Sequence, residues 1–166
     1  MRFRQHALVV AVVLAVVALS AGAASASTFL KVDINDLRKM SETVIHARVA
    51  EIRSDWNAEG TMIFTEVAFE VKGRLHGRSE DLIVARVPGG TVGDYTIEMF
   101  GAPRFDQDEE VVVFIGRWND GTPMVAGYEA GVSRIQRDPL GNAILKGGQA
   151  DGMPLSELAR QLRQSR

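Results

Sequence analysis

One stretch constrains this chain more than any other. Met62 to Gly77, MIFTEVAFEVKGRLHG, alternates apolar and polar residues almost throughout. Ile63, Thr65, Val67, Phe69, Val71 and Leu75 fall on one side of an extended chain, and Glu66, Glu70, Lys72 and Arg74 fall on the other. That is the period of a strand with one buried face, whereas a helix would scatter the same residues around its axis. Fully extended, the stretch spans on the order of 40 Å. A bend is therefore expected, with Gly73 placed for a bulge. A long bent strand suits a small barrel.

The N-terminus has the pattern of an export signal. Arg2 and Arg4 form a basic start, Leu8 to Leu19 is an unbroken run of Leu, Val and Ala, and Ala24-Ser25-Ala26 offers small residues for cleavage. Residues 1–26 are read as the signal, 27–146 as a β-barrel domain, and 147–166 as a loose linker with a C-terminal helix. Ser20 and Gly22 interrupt the apolar run, so cleavage fits better than a retained membrane anchor. The expected address is periplasmic or secreted, with no membrane contact after cleavage. There is no cysteine, so neither a disulfide nor a lipid-bearing thiol is available. Taking Arg2 and Arg4 from 19 basic residues leaves 17 against 21 acidic ones, a formal charge of −4. That balance speaks against nucleic acid as a partner.

The remaining elements follow from pattern and punctuation. Asp33 is placed to cap a short helix from Ile34 to about Ser41, with Ile34, Leu37 and Met40 as its stripe. Thr43 to Arg53 reads as a strand whose second half is out of phase at Ile52. A polar loop, Asp55 to Gly60, holds Trp56 and joins this strand to the central one. Leu82 to Val87 is a short strand ending at Pro88-Gly89-Gly90, and a weak strand is expected from Tyr95 to Phe100. Phe100 to Asp108 is irregular. Val111 to Ile115 is apolar in succession, as expected of a strand buried on both faces. A tight turn at Asn119-Asp120-Gly121 leads to a return strand from Met124 to Tyr128, and Val132–Arg137 with Ala143–Leu145 makes a last hairpin. Gly147 to Gly152 is read as loose, and Pro154 to Arg163 as a helix striped by Leu155, Leu158 and Leu162.

No local motif supplies catalysis. His46 and His76 fall on a strand face and in a turn, without the spacing that puts two ligands on one metal. The serines lack the nucleophile elbow. Asp106, Asp108 and Glu110 point one way in an extended chain, but the glycine turn of a calcium loop is missing, so the acidic run reads as a solvated turn beside an apolar strand. The Gly-rich loop after Val87 is followed by no helix to hold phosphate. No metal, cofactor or catalytic residue is assigned.

Ser41 to Val49 (SETVIHARV), Phe69 to Gly77 (FEVKGRLHG) and Asp108 to Ile115 (DEEVVVFI), following a short helix, form an order of elements that looks like a scheme of exported bacterial proteins. It resembles the netrin-like modules and the tissue inhibitors of metalloproteinases. That resemblance, over about Asp33 to Tyr128, implies a five-stranded OB-like antiparallel β-barrel with an N-terminal and a C-terminal helix. Those inhibitors chelate a protease metal through an N-terminal cysteine, which this chain lacks, so only the fold is implied. The expected function is a non-enzymatic module that binds a protein or cell-envelope ligand through barrel-rim loops. Trp56, Tyr95, Phe100, Arg104 and Phe105 are its expected contacts. The alternative is a hydrolase or metal-dependent enzyme assembled from His46, His76 and the acidic run.

Overall fold

The structure, a computed structural model, describes residues 32–164. The expected export signal lies outside the described residues. From the N-terminus run helix α1 (Ile34–Met40), strands β1 (Thr43–Trp56), β2 (Ile63–Gly77), β3 (Leu82–Pro88), β4 (Gly90–Val92), β5 (Tyr95–Ile97), β6 (Glu110–Arg117) and β7 (Pro123–Val125). A 3-10 turn, Tyr128–Gly131, leads to β8 (Val132–Arg137) and β9 (Ala143–Lys146), and a second, Gly148–Ala150, precedes helix α2 (Leu155–Gln164). The described chain is thus mainly β, with a helix at each end. Seven strands form one sheet in the order β1-β2-β3-β7-β6-β8-β9, and β1 pairs with β6 as well. The pairing is antiparallel except where β3 meets β7 in parallel at Arg86 and Met124. Among the described residues no helix is long and apolar enough to cross a membrane.

The β1–β2 hairpin is the frame, and its register explains what simple alternation does not. Pairing slips between Val49 and Glu51, so one extra residue, Ala50, resets the phase and lets Ile52 pack on the interior cluster. Two further slips leave Lys72 and Leu75 extra on β2. They flank Gly73, which itself pairs with His46, so the expected bend is spread over both sides of the glycine. Past the slips, Leu75 packs with the outer cluster rather than with Val67 and Phe69, because an extra residue reverses the face a side chain takes. Trp56 is the last residue of β1, opposite Ile63, and not in the loop.

Two apolar clusters share β1 and β6 between them. Ile45, Ala47, Val49, Val67, Phe69, Val111 and Val113 are fully buried in the interior one. Val44, Val112 and Phe114 face the other way, against Leu37 of α1, Leu145 of β9 and Leu158 and Leu162 of α2. β6 is therefore covered on both faces, and α2 docks through the expected leucine stripe. Each fully buried Leu or Phe contributes about 2–3 kcal/mol.

Several expected elements differ. In α1 the Asp33 carboxylate accepts from the Asp36 amide at 2.8 Å as expected, and Leu37 is buried, but Met40 is 53% exposed and leaves the stripe. The weak strand ends at Ile97 and pairs with β4, a short strand that begins at Gly90 of the Gly-rich loop. The return strand shortens to β7. Gly147 to Gly152 is not loose: Ala150 is buried, and the Ser133 hydroxyl donates to the Gly147 carbonyl at 2.9 Å.

Candidate functional site: a cleft at the turn end of the central hairpin

The halves of β1 and β2 nearest their turn, the end of β3, the β4–β5 hairpin and the loop 98–106 surround a cleft of about 430 Å³. Its floor is polar. Ser54 and Thr65 are register partners, and their hydroxyl oxygens lie 2.8 Å apart. The Thr65 hydroxyl donates to the Gly89 carbonyl at 2.7 Å. A hydroxyl has one proton, so Thr65 can only accept from Ser54, and the donation runs Ser54 to Thr65 to Gly89. Ser54 therefore has its proton committed, and no histidine lines the cleft to take it. Gly90 passes directly over this floor: a Cβ there would lie 2.4 Å from Thr65 Oγ1 and 2.5 Å from Ser54 Oγ, so only glycine fits.

The walls are apolar, with Ile52, Val67 and Val87 on the strands and Phe105 on the loop. Phe105 stacks edge-on against the buried Phe69, ring centroids 5.2 Å apart, which ties the loop to the interior. Arg134 of β8 fixes the same loop from behind. Its guanidinium donates to the Arg104 carbonyl at 2.7 Å and to the Glu129 carboxylate at 2.6 Å, and the Glu129 amide donates to the Gly101 carbonyl at 2.9 Å. Glu109, whose side chain is 16% exposed, lies 3.5 Å from Arg134. Burial pushes the Glu109 carboxyl above the usual range, against the Asp106 amide and Arg134, which favour its charge.

Of the five expected contacts, Arg104 and Phe105 line the cleft, and the Arg104 side chain pairs with Glu98 at its mouth. Trp56 and Tyr95 meet edge-on with ring centroids 5.8 Å apart. They stand beside the cleft rather than in it, and Tyr95 is 67% exposed. Phe100 is 86% exposed on the 98–106 loop and does not line the cleft either. Ser54, Thr65, Gly90 and Arg134 were not singled out by sequence. Thr65 was legible as an inward position of the central strand, but Ser54 lies one residue past the expected end of the first strand at Arg53, and nothing local marks Arg134.

The charged residues of the alternative reading meet elsewhere, on the outer face of β1 and β6. His46 Nε2 lies 2.6 Å from Glu110 Oε1, and Arg137 is 3.2 Å from the same carboxylate. Arg48 bridges Glu70 at 2.6 Å and Asp108. Lys72 and Arg48, both hydrogen-bonded to Glu70, hold its carboxyl below the usual range. The acidic run is therefore divided: Asp106, Gln107 and Asp108 are exposed around a turn, as expected, whereas Glu109 and Glu110 are partly buried beside Arg134, His46 and Arg137. Among the described residues His76 is not joined to it, and no group of three His, Asp or Glu could hold a metal ion.

Comparison with protein-family models, with curated proteins and with solved structures finds no match for this chain.

Proposed function

We propose that this chain is an exported, non-enzymatic binding module that takes a protein or cell-envelope ligand at the turn-end cleft. The fold reading behind it is an OB-type barrel in which β1, β2, β3, β7 and β6 close on one another. The pairing order β1-β2-β3-β7-β6, with β6 returning to β1, is the support for closure. In that reading β4 and β5 are an excursion between the third and fourth barrel strands, and the cleft lies at a barrel rim, where loops on a rigid scaffold gather ligand contacts. Export is supported by the basic, apolar and small-residue succession of residues 1–26.

The observation that carries the reading is the cleft itself. It has a polar floor with every proton committed, apolar walls, and exposed Tyr95, Met99 and Phe100 on the two segments that border it. Such a site grips an apolar or aromatic side chain between its walls, and the floor hydroxyls, their protons spent, can only accept. Immobilised protein is expected to retain a species from an envelope extract that a Tyr95→Ser/Phe100→Ser variant of unchanged thermal stability does not retain. Retention of the same species by both proteins, or of none by either, contradicts the proposal.

A further inference from the structure

Most cations in the described chain have carboxylate partners. Of its arginines, eight stand in ion pairs and four do not: Arg38, Arg74, Arg78 and Arg163. Three of these four, Arg38, Arg74 and Arg163, line one open depression of about 570 Å³ together with His76, and no carboxylate lines it. They come from three separate elements: the last turn of α1, the end of β2, and the last turn of α2. Cations in the last turn of a helix complement its dipole, which accounts for Arg38 and Arg163 taken singly. It does not account for Arg74 and His76, which stand on a strand.

Two observations indicate a built site rather than a solvated basic face. The Arg38 Nε is buried and has no hydrogen-bond partner among the described residues. Arg38 is thus held partly within the protein rather than standing free in solvent. The floor is also fixed before any ligand arrives. The buried Thr43 hydroxyl donates to the His76 carbonyl at 2.8 Å, and Gly77, at φ +71°, comes so close to β1 that a Cβ would lie 2.0 Å from the Glu42 carbonyl oxygen. The chain around this patch is acidic overall, so the basic character is local.

We propose that this depression binds a phosphate-class oxyanion, either free or as the headgroup of an anionic lipid. Guanidinium groups match such oxygens two at a time, and His76 adds a ring N–H donor. The site is separate from the turn-end cleft and stands or falls without it.

The test is a titration of the purified protein with inorganic phosphate and then pyrophosphate, followed by amide and imidazole chemical shifts. Saturable shifts confined to Arg74–Gly77 and the His76 ring are expected. Arg74→Gln with Arg163→Gln should weaken binding at least tenfold, since two charge-assisted contacts are lost. Lys146→Gln, which removes a charge on β9 that has no ion-pair partner among the described residues, should change it less than twofold. No saturable shift, or an equal loss from Lys146→Gln, would overturn the proposal. Co-sedimentation with phosphatidylglycerol vesicles but not phosphatidylcholine vesicles, reversed by phosphate, would identify the lipid source. Phosphate binding without co-sedimentation would identify the free anion.

Discussion

The two ends of the β1–β2 hairpin are built from the same two strands and present opposite chemistry. At the turn end, Ser54 and Thr65 pass their protons inward to Gly89, the walls are apolar, and Arg104 and Arg134 are held by Glu98 and Glu129. At the open end, Arg38, Arg74 and Arg163 converge with no carboxylate among them. The contrast teaches that pairing, more than the number of charges, separates arginines spent on ion pairs from ones left without a carboxylate. Backbone demands differ in the same way. Gly60 in the turn has φ +66° and open space around it, whereas Gly77 has φ +71° and the Glu42 carbonyl 2.0 Å from where a Cβ would sit.

The largest effect is expected where the turn end meets the interior. Phe69→Ala removes the ring that carries Phe105 and leaves a cavity, so about 3–5 kcal/mol of stability should be lost in denaturant unfolding. A loss under about 1 kcal/mol would mean the loop does not rest on Phe69. The glycine pair comes next. Gly77→Ala should cost about 3 kcal/mol, because a strained φ and a backbone clash add, and Gly60→Ala about 1 kcal/mol from φ alone. Equal losses would erase the proposed difference between the ends. Thr65→Val should cost about 1 kcal/mol by breaking the Ser54–Thr65–Gly89 relay, seen as a lowered Tm.

The smallest effect is a matter of pH. Glu109 is raised by burial, so its contribution is fully present below the ordinary carboxylate pKa and is lost as pH rises through its raised value. Glu70 is lowered by Lys72 and Arg48, so its contribution is present above the ordinary carboxylate pKa and is lost as pH falls through its lowered value. Glu109→Gln should therefore flatten the Tm profile on the higher-pH side of that range, and Glu70→Gln on the acid side. Profiles parallel to the parent protein's would remove the assigned causes.

Alternation made the strands legible. Val67 and Phe69 are buried on β2, and the run Val111 to Ile115 is covered on both faces, because period and apolar length report burial directly. Bulges are not legible that way. Ala50, Lys72 and Leu75 are single extra residues with no compositional mark, yet they decide which cluster receives Ile52 and Leu75. The expected loops do border the cleft, but its floor needs Ser54 and Thr65 opposed in register, which only the pairing reveals. The basic depression draws on α1, β2 and α2, so no window of sequence contains it.

The account's central claim is that the turn end is the ligand-binding end. Amide spectra of labelled protein, recorded with and without the species retained from an envelope extract, test it most directly. The predicted result is shifts over Gly89 to Tyr95 and Met99 to Phe105 with little change elsewhere. Shifts centred on the exposed Leu82 and Val84 of β3, with the cleft amides unmoved, would contradict it.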